Sequence, residues 1–136
     1  MAHLQALKGG TWDVESLNAF EPIVAACPFG GLQSVGEILH GCGCFHWSKD
    51  GQEALLALRL DQWRAGRTLH VMGAVSVGEH PLQTRQVMAA VEHTGRLLGA
   101  DVLTLCTPHA AIAKSAGRWG GQITGAIIAK RLRALQ

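Results

Sequence analysis

Two neighbouring ionisable residues, Glu79 and His80, follow directly on an apolar, β-branched run, Thr68 to Val77 (TLHVMGAVSV), and precede a helix-patterned segment. The C-terminal end of a strand in a parallel sheet is where ligand sites form, and a carboxylate or imidazole placed there can serve as a general base. A loop leading into a helix accounts for the same two residues equally well through turn chemistry. His109 stands in a comparable place, near the start of a second helix. His70 lies inside the apolar run and reads as a core or edge histidine.

A second group is His40, Cys42, Cys44 and His46. On a regular strand these four share one face, with Gly41, Gly43, Phe45 and Trp47 on the other. Four soft ligands in one short segment invite a zinc site, but strand geometry opposes it. Residues two apart are separated by about 6.6 Å, so His40 and His46 stand about 20 Å apart. One tetrahedral ion with bonds of about 2.0–2.3 Å takes at most two of the four. The expectation is therefore no metal, with small thiols filling a tight sheet face. Gly41-Cys42-Gly43 precedes no helix and carries no nucleotide-binding weight. Trp12, Trp47, Trp63 and Trp119 are not interleaved with basic residues at a regular spacing, so no nucleic-acid stacking platform is expected.

These residues must be positioned by elements that the pattern makes legible. His3 to Leu7 reads as a short strand ended by Gly9-Gly10. Thr11 or Asp13 can cap a helix running to about Phe20, which Pro22 would close. Ile23 to Cys27 is apolar, Pro28-Phe29-Gly30-Gly31 is a turn signal, and a short helix from Leu32 to Ile38 can follow. His40 to Trp47 alternates, Ser48-Lys49-Asp50-Gly51 turns, and Glu53 to Leu60 continues as an apolar arm, which together predict a β-hairpin. Asp61 to Arg67 reads as a polar connection.

The strongest helix runs from Gln83 or Thr84 to Leu98, with Val87, Val91 and Leu98 on one stripe and Arg85, Glu92 and Arg96 opposite, stopped by Gly99. Asp101 to Cys106 (DVLTLC) reads as a short buried strand. Thr107-Pro108 then starts a helix ending at Gly117, and Gln122 to Leu132 forms a closing strand. Strand, helix and strand at this spacing form a βαβ unit, so Thr68–Val77 and Asp101–Cys106 are expected to be parallel neighbours. The fold class is α+β with a mixed sheet.

The 136 residues suit one domain spanning 1–136, and a content of 48% hydrophobic and 16% charged residues excludes disorder. No apolar stretch reaches about 20 residues, so no membrane span is expected. Met1 to Lys8 lacks a basic region followed by an apolar one, so no signal peptide is expected and the location is cytoplasmic. Cys27, Cys42, Cys44 and Cys106 read as reduced thiols. Net charge is +2, but unevenly spread: the first 101 residues carry 7 basic and 10 acidic groups, while Lys114, Arg118, Lys130, Arg131 and Arg133 follow with no acid. That basic end can meet phosphate, an acidic partner or another subunit, or simply guard a strand edge.

The order hairpin, strand, long helix, strand, short helix, final strand resembles the GNAT acetyltransferase superfamily over roughly Gly41 to Leu132. The resemblance rests on AVSVGEHPLQTRQVMAAVEHTGRLLGADVLTLCTPHAAIAKSAGRWGGQ and the closing ITGAIIAKRL. It implies a central mixed sheet flanked by helices and a loop whose amides cradle the pyrophosphate of acetyl-CoA at a helix N-terminus. On that pattern Val75 and Val77 would line the pantetheine arm. Gln83, Thr84 and Arg85 would meet phosphate, and Glu79, His80 or His109 would serve as the base for an amine.

The sequence departs from the family at two places. Val77-Gly78-Glu79-His80-Pro81-Leu82-Gln83-Thr84 holds one glycine where the family pattern R/Q-x-x-G-x-G/A has several, Pro81 removes an amide donor, and Glu79 adds negative charge. The position of the family's tyrosine acid is Ala113, and the chain contains no tyrosine. Short GNAT-like proteins of this kind are similar to those of tailed bacteriophages and prophages, some of them virion components. The resemblance therefore implies a structural or interaction component of a virion, with protein partners or self-association and no cofactor. The alternative is an active acetyl-CoA-dependent N-acetyltransferase with a rebuilt site.

Overall fold

The computed structural model describes residues 5–26, 34–105, 116–122 and 130. Its strands are β1 (Lys8–Gly10), β2 (Gly43–Lys49), β3 (Gln52–Trp63), β4 (Gly66–Ser76) and β5 (Val102–Leu105). The helices are α1 (Val14–Ala19), α2 (Glu21–Ala26), α3 (Val35–Ile38) and α4 (Thr84–Leu97), and Ala116–Trp119 makes a 3₁₀ turn. The strands form one sheet in the order β1-β2-β3-β4-β5. The first four run antiparallel to their neighbours and β5 is parallel to β4. This is the α+β mixed sheet expected, including its βαβ unit.

The N-terminal strand lies later than His3 to Leu7. Leu7 is buried and its N–H donates to Thr94 Oγ1 on α4 at 2.9 Å, so it anchors to the helix. Pairing begins at Lys8, and Gly9 and Gly10 lie within the strand. Asp13 caps α1 by accepting from the Ser16 N–H at 2.7 Å, and the Ser16 hydroxyl closes the reciprocal bond. Pro22 does not end a helical region. It sits in the first turn of α2, where its missing N–H has no intrahelical role. Ser34 and Glu37 cap α3 in the same reciprocal way.

The β2–β3 hairpin turns at Asp50-Gly51 with positive φ at both residues, 50° and 80°, the geometry that matches strand twist across a two-residue loop. The expected polar connection Asp61 to Arg67 is instead the second hairpin, with Trp63 paired to Gly66 around Arg64-Ala65. Gln62 to Ala65 are exposed at this hairpin end, and the turn has no positive-φ residue to mark it in sequence.

One sheet face packs Ala54, Leu56, Leu58, Leu69 and Val71 against Val87, Ala90 and Val91 of α4. The other face meets Phe20, Val24, Val35 and Leu39 of the N-terminal helices through Ala57. Gly99, at φ 76°, ends the α4 region as expected. The β5 segment is not uniformly buried. Leu103 packs on the core, whereas Val102 is 56% and Leu105 37% exposed. The helix expected from Thr107 and most of the strand from Gln122 to Leu132 lie outside the described residues. No helix among the described residues is long and apolar enough to cross a membrane.

Candidate functional site

Between Ala57 and Leu58 the β3–β4 register shifts by one residue. Leu58 pairs with Val71 and Ala57 with Gly73, so Met72 is an extra residue, a bulge in β4. Among the described residues, pairing with β5 runs from Thr68↔Val102 to Val71↔Leu105. A bulge bends its strand, and this one lies just past that last described pair. Val75 turns its side chain into the cluster around Phe20, and Val77 is 43% exposed after the end of β4.

The loop after β4 is drawn toward the β2–β3 turn. The Val77 N–H donates to Glu53 O at 2.9 Å and the His80 N–H to Gly51 O at 3.3 Å. Gln52 is buried at the turn. Its Oε1 accepts from the Gln83 N–H at 2.7 Å and its Nε2 donates to Gln86 Oε1 at 3.0 Å. Gly78 packs so closely that a Cβ there would lie 2.6 Å from Glu53 N and 2.9 Å from Gly51 O. The loop's one glycine thus serves contact with the hairpin. Pro81 has no N–H to offer. The first-turn amides of Thr84 and Arg85, both exposed residues, are the helix donors a ligand can still meet.

Glu79 and His80 are both exposed and stand on this hairpin side, Glu79 in a shallow groove with Ser48 to Glu53 and Val77. The His80 ring lies over Gly51, and with Asp50, Gln52, Pro81, Leu82, Gln83 and Gln86 it lines a second shallow groove. His109 lies outside the described residues. Of the cysteine–histidine group, His40 precedes the strand, which begins at Gly43, so the alternation holds only from there. His46 instead pairs with Glu53 Oε1 through Nε2 at 2.8 Å.

A connected set of polar side chains occupies the sheet face opposite α4. His70 on β4 stands between Arg59 on β3 and Thr104 on β5 in one row of the sheet. Its Nε2 lies 2.9 Å from Asp61 Oδ2, its Nδ1 is hydrogen-bonded to Thr104 Oγ1, and Arg59 Nε is 3.2 Å from Asp61 Oδ1. Sequence reasoning passed over this set because its members come from three strands. Asp61 was assigned to a loop, and only the β3–β4 register brings it diagonal to His70. Spacing alone carried one usable signal, the alternation Arg59, Asp61 on a strand longer than expected.

Burial pushes the Cys42 thiol up, opposed by Arg59 and assisted by Asp61, and burial likewise raises Cys44, with Asp13 adding to it. Both are therefore protonated and unreactive thiols near neutrality. The Ser16 N–H and then its hydroxyl hold the Asp13 carboxyl below the usual range, and Ser34 does the same for Glu37.

No protein-family model and no curated protein sequence matches this chain. Among solved structures it is similar to a Trypanosoma brucei acetyltransferase, with TM-score 0.51 and 13% identity over 93% of this chain and 99% of that one. It is also similar to glucosamine-6-phosphate N-acetyltransferase from Arabidopsis thaliana, with TM-score 0.49 and 11% identity over 95% of this chain and 100% of that one. The likeness to the Trypanosoma brucei acetyltransferase is one of fold alone: an α+β mixed five-stranded sheet with helices.

Proposed function

We propose that this GNAT-fold chain is a structural or interaction protein with a degenerate acetyl-CoA site, working as a component of a phage or prophage virion. One observation carries the reading: two amides of the loop that would cradle a pyrophosphate are taken by the β2–β3 hairpin. His80 and Gln83 donate to Gly51 O and Gln52 Oε1, and Pro81 has nothing to donate. A buried carboxamide oxygen stands at the mouth of α4, where a phosphate oxygen would compete for the same N–H. β1 supports an assembly role, being a short outer strand with all three residues exposed. The virion setting rests on the sequence resemblance to phage-type members.

A second reading is an acetyl-CoA-dependent N-acetyltransferase acting on an amine, and the Met72 bulge favours it. The bulge bends β4 shortly before Val75 and Val77, the residues that would line the pantetheine arm. Thr84 and Arg85 would then carry the phosphate contacts alone.

Calorimetric titration with acetyl-CoA, and CoA as control, separates the two. The structural reading expects no heat at millimolar ligand, together with oligomers by light scattering. Binding tighter than about 100 μM, worth roughly 5.5 kcal/mol, together with a monomer, would overturn it in favour of the enzyme.

A further inference from the structure

The hydrogen-bonded set on the sheet face opposite α4 has an order that packing does not require. A carboxylate only accepts, so with Asp61 Oδ2 2.9 Å away the His70 Nε2 carries the proton. In the neutral imidazole the lone pair is then on Nδ1, and the group directed at it is the Thr104 hydroxyl. Hydroxyl, imidazole and carboxylate follow in sequence, with the base within hydrogen-bond reach of the hydroxyl and held from behind by a third group. Arg59 Nε also holds this carboxylate, 3.2 Å from Oδ1 and donating to Oδ2 at 3.3 Å. The set lies in the row next to the Val71↔Leu105 pair, two residues before the Met72 bulge in β4. His70 and Asp61 side chains are 25% and 27% exposed and Thr104 is half-buried, so all three are in contact with solvent.

We propose that Thr104 is an acylatable nucleophile with His70 as its general base and Asp61 as the positioning residue, and that its substrates are small activated acyl esters or thioesters. Thr104 Oγ1 attacks the acyl carbon, a new C–O bond forms, and the bond from that carbon to the leaving oxygen or sulfur breaks. The hydroxyl proton passes to His70 Nδ1 as the imidazolium forms against Asp61, and then to the leaving group or solvent. Water activated by the same nitrogen returns the threonine and releases the carboxylic acid. The reaction uses no acetyl-CoA and no pyrophosphate loop. It therefore goes beyond the reading above and stands or falls apart from the calorimetric result.

The test is incubation of the full chain with p-nitrophenyl acetate, followed by nitrophenolate release, intact mass and fragment mass mapping. The expected result is a burst approaching one equivalent, with a single acetyl group mapped to Thr104 in the wild-type chain. His70→Gln should slow the burst by about 100-fold or more, the usual scale of general-base catalysis. Asp61→Asn should slow it at an unchanged melting temperature, a loss that a merely structural carboxylate would not produce, and Thr104→Ser should keep it. Acetyl found only on lysines, cysteines or the N-terminus, or a His70→Gln chain labelled at the wild-type rate, overturns the proposal. Mapping of the wild-type label decides the point even where a variant fails to fold.

Discussion

The two ends of β4 invert what their residues advertise. At its C-terminal end stand Glu79, His80, Gln83, Thr84 and Arg85, the polar residues and helix start that a ligand site calls for, yet the loop there is bonded to the β2–β3 turn. In its N-terminal half stands His70, inside an apolar run, yet this residue joins three strands through an ordered set of polar contacts. The difference lies in where each donor's partner comes from. The amides of His80 and Gln83 find theirs in the adjacent hairpin, which takes those two out of ligand chemistry. His70 finds one partner on each side, arranged so that a lone pair faces a hydroxyl.

That contrast can be broken most forcefully at Gly78. Ala at this position would place a Cβ against backbone atoms of Glu53 and Gly51 that cannot swing aside. The expected loss is about 1–3 kcal/mol, the usual cost of overpacking, read by urea denaturation. Gly36, whose added Cβ would meet nothing within 4 Å, is the control, and Gly36→Ala should leave stability unchanged or slightly higher. Equal behaviour of the two variants would mean that the loop is not held against the hairpin.

Gln52→Ala tests the same end more gently. It strips the acceptor from the Gln83 N–H and the donor from Gln86, at an expected cost of about 1–2 kcal/mol. It also frees an amide at the mouth of α4, so inorganic pyrophosphate should bind this variant more tightly than wild type in calorimetry. Unchanged affinity would show that something other than the hairpin limits the cradle.

The smallest effect is expected at Cys42, beside the polar set. Arg59 opposes the upward push of burial on this thiol, so Arg59→Ala should raise it further and lower its thiolate fraction. Alkylation by iodoacetamide at pH 8, already slow, should slow by a few-fold more. An increase would place Arg59 elsewhere than against Cys42 and Asp61.

Much of the architecture was legible because it depends on short-range patterns. Asp50-Gly51 after an alternating arm marked a tight hairpin and outweighed the helix preference of Ala54 to Leu58, and the stripe Val87, Val91, Leu98 ended by Gly99 marked an amphipathic helix. The βαβ spacing fixed the parallel β4–β5 pair. Errors came where local chemistry was ambiguous: Pro22 can end one helix or start another, and a polar strand end at Asp61 looks like a loop until its partner strand is known.

The candidate sites were less legible still. Glu79, His80, Thr84 and Arg85 were correctly found at the end of β4 and the start of α4, but their availability depends on Gln52, more than thirty residues from the helix start. The set Arg59, Asp61, His70 and Thr104 required a register, because a one-residue slip would turn alternate side chains to the opposite face. Apolar periodicity and turn residues act within a few positions, so they were enough to fix the β2–β3 hairpin, α4 and the parallel central unit. Which donors are consumed, where β4 bulges at Met72 and which polar groups meet follow from pairing between strands distant along the chain, and only the folded arrangement sets them.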